Sequence, residues 1–155
     1  MRYNVLYIYY VLKPGFFIII RQRFCFSAKL AKKMDVNGQK ASVGVIAPYR
    51  AQVSLLRKMI SPALSGTDIS TVDQFQGRDK DVIIYSCTKT KANKTAGKIS
   101  EDNILNDWRR LNVAVTRAKS RLWIVGNVQA LKSYEPFKKL IEYLQEKKCV
   151  FPIDM

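Results

Sequence analysis

"NDWRRLNVAVTRAKSRLWIVG", residues 106–126, holds two periodicities in succession. Leu111, Val113, Ala114, Val115 and Ala118 recur at helical spacing among Arg109, Arg110, Arg117 and Lys119. The apolar run "RLWIVG" then reads as a buried strand, so a helix from about Asn103 to Arg117 delivers the chain into a sheet. Cations at helical spacing form a solvated face, a phosphate-binding patch, or one charge aimed at one anion. Arg117 differs from its neighbours. It emerges among small apolar residues, so it is held rather than waving in water, and a fixed planar guanidinium suits a phosphoryl group.

Working outward, strand and helix alternate. Residues 27–35 read as a short helix capped by Ser27 and ended at Gly38. "ASVGVIAP", 41–48, is a buried strand, and "YRAQVSLLRKMI", 49–60, a helix carrying Val53, Leu56 and Ile60 on one face. "DISTV", 68–72, and "DVIIYSCT", 81–88, are strands. Residues 89–102 are a lysine-rich loop, "YEPFKKLIEYLQEK" is helical, and "CVFPI" is β-prone. The alternation implies an α/β fold with a mainly parallel sheet, in which ligands gather at the carboxyl ends of the strands. The loops expected there are Pro48–Gln52, Asp73–Asp81 and the turn around Gly126.

The 155 residues suffice for one sizeable core. Their 27 Lys+Arg against 12 Asp+Glu give a net charge of +15, which favours a polyanionic partner. Residues 1–40 hold eight basic residues and one acidic, 41–99 nine and four, and 100–155 ten and seven, so the surplus is spread along the chain. There is no histidine, which excludes Ser-His and Cys-His hydrolase chemistry, and Cys25, Cys87 and Cys149 form no CxxC pair, which argues against zinc and for a reducing, intracellular setting. "VLYIYYVLKPGFFIII", residues 5–20, is apolar but broken by Lys13-Pro14-Gly15, and its longest apolar run of eight residues is too short to span a bilayer. Two short strands, or a segment foreign to the rest, fit it better.

"STVDQFQGRDKDVIIYSC", 70–87, is the second informative stretch. A strand enters a polar turn, Gly77 lets the backbone bend, and another strand leaves. Gln76 offers donor and acceptor, Asp79 could accept from ribose hydroxyls, and Ser70 and Thr71 could donate to a phosphate. Read alone, the same residues make a solvated turn between strands.

Together with "VGVIAPYRAQ", these two stretches resemble motifs IV, V and VI of superfamily 1 helicases, in the family's order, within residues 41–127. The likeness is to the second RecA-like domain of the nonsense-decay and replication nuclease-helicase branch, and "QGRDK…DWRRLNVAVTRAK" is most similar to the replication nuclease-helicase. The resemblance implies a three-layer RecA-like domain over residues 27–155, with residues 1–26 an atypical apolar segment that does not match. Arg117 matches the motif VI arginine finger. Gln76, Gly77 and Asp79 match nucleotide-binding positions, Asp79 standing where the family has a glutamate. Ser70, Thr71, Tyr49, Arg50 and Gln52 match nucleic-acid-binding positions. Arg109, Arg110 and Lys119 fall to phosphate surroundings or interdomain contacts.

There is no GxxxxGK[ST] in the 155 residues, hence no P-loop of the chain's own. The resemblance therefore implies ATP and Mg2+ held mainly by a first RecA-like domain on the same or another chain. Single-stranded nucleic acid is the track, DNA in preference to RNA, with a nuclear location and the mitochondrion as a second; no membrane is involved. The expectation is a piece, or a gene-model product, of a larger ATP-dependent DNA helicase. A basic module that binds nucleic acid without catalysis, or the same domain of an RNA helicase, are the alternatives.

Overall fold

A computed structural model describes residues 5–10, 35–36, 38–60, 66–87 and 103–152. Its centre is a six-stranded sheet in the order β5-β4-β6-β7-β1-β8, with every neighbouring pair parallel. The strands are β1 (Val5–Tyr10), β4 (Val43–Ala47), β5 (Asp68–Thr71), β6 (Lys80–Ser86), β7 (Ala118–Gly126) and β8 (Val150–Pro152). A two-residue antiparallel hairpin, β2 (Asp35–Val36) with β3 (Gln39–Lys40), lies outside it. Asp35, expected to close a helix, is thus in a strand, and Gly38, at φ 77°, turns the hairpin. The rest of that expected helix, residues 27–34, and the expected loop 89–102 lie outside the described residues.

β4 is buried at all five positions, as a central parallel strand covered on both faces must be. Side chains alternate across the sheet. Ile83, Tyr85 and Cys87 join the larger core with Leu122 and Ile124. Val82, Ile84 and Ser86 face the other way, toward α1 (Arg50–Ile60), whose Val53 and Leu56 are buried. The larger core is roofed by α2 (Asn103–Asn106), α3 (Trp108–Thr116), α4 (Val128–Leu131) and α5 (Glu135–Glu146). From α5, Phe137, Ile141 and Leu144 point inward, and the Phe137 ring stacks on Tyr85 with centroids 6.1 Å apart. Helices on both faces of a parallel sheet make this the expected α/β, RecA-like architecture.

The single helix expected over 103–117 is two. Asp107 leaves helical geometry at φ −81°, ψ 100°, and its carboxylate accepts from the Arg109 amide at 2.9 Å, capping α3. The apolar periodicity runs through Asp107 and hides the break. β7 is also longer than its apolar stretch, because Ala118 to Arg121 already pair with β6 and β1. β1 comes from the segment whose sequence matches no motif, yet it pairs with β7 over Val5–Tyr10 and with β8 over Ile8–Tyr10.

Candidate functional site

The βαβ connections send α3 back against the strand direction, from the carboxyl end of the sheet to its amino end. Arg117 is the last residue before β7, and its carbonyl accepts from the Lys80 amide at 3.0 Å, where β6 begins. Thr71, Ala47 and Ser86 mark the opposite, carboxyl end. Six residue steps along β6 separate the ends by about 20 Å. Of the three loops expected at the carboxyl end, Pro48–Gln52 and the turn around Gly126 lie there, whereas Asp73–Asp81 does so only at its start, which corrects that expectation. Segment 72–79 starts at that end and descends to the other, because it must return the chain from β5 to the start of a parallel β6.

At the amino end, Arg117 and Asp79 meet. Arg117 Nη1 lies 3.0 Å from Asp79 Oδ1, with the arginine side chain 22% exposed and the carboxylate 48%. Arg117 Nε donates to the Val113 carbonyl at 3.3 Å and Nη2 to Thr116 Oγ1 at 3.2 Å. The Thr116 hydroxyl donates in turn to Asn112 O at 2.8 Å. The guanidinium is thus anchored on the last turn of its own helix and reaches toward one carboxylate. Gly77 reverses the chain just before Asp79. It takes φ 78°, open to glycine at no steric cost, although a Cβ there would meet nothing within 4 Å.

Gln76 is exposed and lines a shallow groove of about 230 Å³ with Val72, Asp73, Asp107, Arg109, Arg110 and Val113. Arg110 is not a free cation there. Its hydrogen bond to Asp73 raises its pKa above an already high value. Arg109 lies 5.8 Å from the centroid of Trp108, a ring 63% exposed.

At the carboxyl end, a groove of about 330 Å³ runs between α1 and the end of β5, lined by Arg50, Val53, Ser54, Arg57, Lys58, Thr71 and Gln74. Of the candidate nucleic-acid contacts, Arg50 and Thr71 share it. Ser70, buried, pairs with Ile46 and so faces the other side of the sheet from Thr71, which pairs with Ala47. Tyr49 is half-buried, and its carbonyl receives the Val53 amide at the start of α1. Gln52 is 7% exposed, and Nε2 donates to both Ser86 O and Ser86 Oγ at 2.8 Å. That nitrogen fastens α1 to the end of β6 and is not available to a ligand.

Arg57, Lys58 and Gln74 were missed as groove residues. Spacing of seven and eight from Arg50 puts Arg57 and Lys58 on the same side of α1, which is the signal that could have found the two cations. Arg57 is partly committed, since Nε and Nη2 donate to Ile69 O at 3.1 and 2.7 Å. Among the described residues no group of three or more Cys, Asp or Glu could hold a metal ion, and no helix is long and apolar enough to cross a membrane.

The family model described as "AAA domain" matches residues 23–129. The chain belongs to the AAA-domain family. The chain is 36% identical over 113 residues to the DNA replication ATP-dependent helicase/nuclease DNA2 of Homo sapiens, covering 73% of this chain and 10% of that protein. It is 40% identical over 126 residues to the helicase sen1 of Schizosaccharomyces pombe, covering 78% and 7%. A solved structure, the C-terminal domain of a possible DNA helicase from a Lactobacillus, superposes with a TM-score of 0.50 at 12% identity, covering 97% of this chain and 84% of that one. That last likeness bears on the fold alone. This AAA domain is therefore a helicase-family domain, as its motifs led one to expect. It spans about a tenth of the length of the curated relatives named here.

Proposed function

We propose that this AAA domain is the C-terminal motor domain of an ATP-dependent DNA helicase of the nucleus. It supplies an arginine finger, Arg117, and part of a single-strand track to a partner RecA-like domain. The observation that carries this reading is the fixed Arg117 guanidinium at the amino end of β7, with the Asp79 carboxylate and the Gln76–Gly77 turn nearby. An arginine so placed can stabilise charge on a phosphoryl group in transfer, an effect on the order of 10³–10⁵ in rate.

The residues present fit one wall of a nucleotide site. Arg117 suits the terminal phosphate, while Gln76 has the donor and acceptor chemistry for a ribose or base. They do not make a second wall. The chain has no P-loop, and its described residues have no acidic cluster for Mg2+, so ATP and its ion would be held mainly from the partner domain. The groove of Arg50, Arg57, Lys58 and Thr71 at the far end of the sheet gives a separate surface for a phosphate backbone. Two surfaces about 20 Å apart suit a motor that couples hydrolysis at one to movement of a strand at the other.

The test is reconstitution. The 155-residue chain alone should show no ATPase stimulated by single strands, and adding a P-loop RecA-like domain in trans, or fusing it, should restore stimulated turnover. Stimulated turnover by the chain alone would overturn the proposal, as would failure of every pairing that binds ATP.

A further inference from the structure

The resemblance assigns the position of Asp79 to the ribose. The geometry points to a different partner, and we infer that Asp79 is a positioning residue for Arg117. This rests on the reading of Arg117 as the finger.

Arginine has five N–H donors in a rigid fork and no acceptor. Two are taken by Val113 O and Thr116 Oγ1, at 3.3 and 3.2 Å. Both acceptors lie on the last turn of α3, so by themselves they tether the guanidinium along its own helix. Among the described residues, the one contact to the guanidinium from another element is the Asp79 carboxylate, 3.0 Å from Nη1. Asp79 arrives from the β5–β6 connection, and its place is fixed from both sides. Gly77 sets the turn before it, and the Lys80 amide after it is bonded to the carbonyl of Arg117 itself. Residues 79–80 and residue 117 thus clasp each other twice, once through the backbone and once through side chains. Among the described residues, no other contact draws the guanidinium away from its own helix and toward another element.

The pair leaves the remaining N–H donors for an incoming phosphoryl oxygen. Asp79 therefore acts on turnover through Arg117. A shift of about 1 Å in a group that must meet the transition state costs on the order of a hundredfold in rate. Asp79→Asn keeps the size of the side chain and removes the charge that holds the guanidinium.

With a P-loop domain supplied in trans, Asp79→Asn should lower kcat by about ten- to a hundredfold while leaving the KM for ATP within about twofold. The ratio of rates with ATP and 2′-deoxyATP should not change, and adding Asp79→Asn to Arg117→Ala should cost nothing further. A raised KM for ATP but not for 2′-deoxyATP would give the carboxylate to the ribose and overturn the inference. The 155-residue chain alone provides an independent reading. Its Arg117 Nη1–H resonances, on the nitrogen that faces Asp79, should be sharp and slow to exchange in the parent at low temperature, and should broaden in Asp79→Asn. Unchanged resonances would overturn the clasp even if no pairing restores ATPase, an outcome that speaks against the proposed function instead.

Discussion

Arg110 grips Asp73 as a fork: Nε stands 3.0 Å from Oδ1 and Nη2 3.3 Å from Oδ2. Nη1 of the same guanidinium is 3.6 Å from the Asp107 carboxylate that caps α3. The turn after β5 and the first turn of α3 are thereby joined, although 37 residues separate them in sequence. Arg110→Lys keeps the charge and loses the planar fork. Asp73 is exposed and Arg110 partly so, and the expected loss of stability is modest, about 0.5–1 kcal/mol. In urea denaturation, a cycle combining it with Asp73→Asn should show coupling of similar size, and additive losses would mean that the fork contributes nothing.

Gln52 and Arg50 should separate folding from binding. Gln52→Leu removes the donor to Ser86, whose carbonyl and hydroxyl are fully buried, and the unmet acceptors should cost about 1–3 kcal/mol. Arg50→Ala, on the exposed lip of the groove, should leave stability close to the parent. It should reduce the slope of log affinity against log salt for single strands by about 1. Equal stability losses in the two variants would contradict this division.

Two glycines are required for different reasons. A Cβ at Gly44 would stand 2.5 Å from the Phe75 ring and 2.8 Å from Ile83 Cδ1, inside a close-packed layer. Gly44→Ala should therefore cost about 1–3 kcal/mol through overpacking. Gly77→Ala meets no atom but strains a backbone at φ 78°, for about 1–2 kcal/mol. Trimming the ring with Phe75→Leu should partly relieve Gly44→Ala and leave the penalty of Gly77→Ala unchanged, as read by thermal unfolding.

Asp81 makes part of the stability depend on pH. Its Oδ2 accepts from Ser42 Oγ at 2.6 Å and from the Ser42 amide at 2.8 Å, and these bonds hold its carboxyl below the usual range. A depressed folded pKa contributes stability that is present above the unfolded value and lost as pH falls through the folded one. The stability gap between the parent and Ser42→Ala should hold from neutral pH down to about 4 and close below that. A gap that widens in acid would show that Ser42 acts on something other than the carboxylate.

Much of the fold was legible because burial leaves a periodic trace. The apolar runs at 43–47 and 122–126 read as strands at once, and so did the helical faces of 50–60 and 135–146. The site was only half legible. Residue types marked Arg117, Asp79 and Gln76, but the direction of α3 puts Arg117 at the amino end of the sheet, and no local pattern reports on that. The Asp73–Arg110 fork and the Gln52–Ser86 bond join residues 37 and 34 positions apart, so spacing could not pair them. Asp107 looked like one polar position in a helix because its capping role lies in backbone angles. Val5–Tyr10 read as a short strand or as a segment foreign to the rest; it is a strand, but its place between β7 and β8 depends on strands more than 100 residues away, which no local pattern reports.

The most direct measurement is ATP turnover and single-strand affinity of Arg117→Ala with a P-loop RecA-like domain supplied in trans. Turnover should fall by on the order of 10³-fold or more. Single-strand affinity should stay within about twofold of the parent, because the basic groove lies about 20 Å from the arginine. Weakened strand binding with turnover preserved would contradict the account, since Arg117 would then serve the track and not the nucleotide.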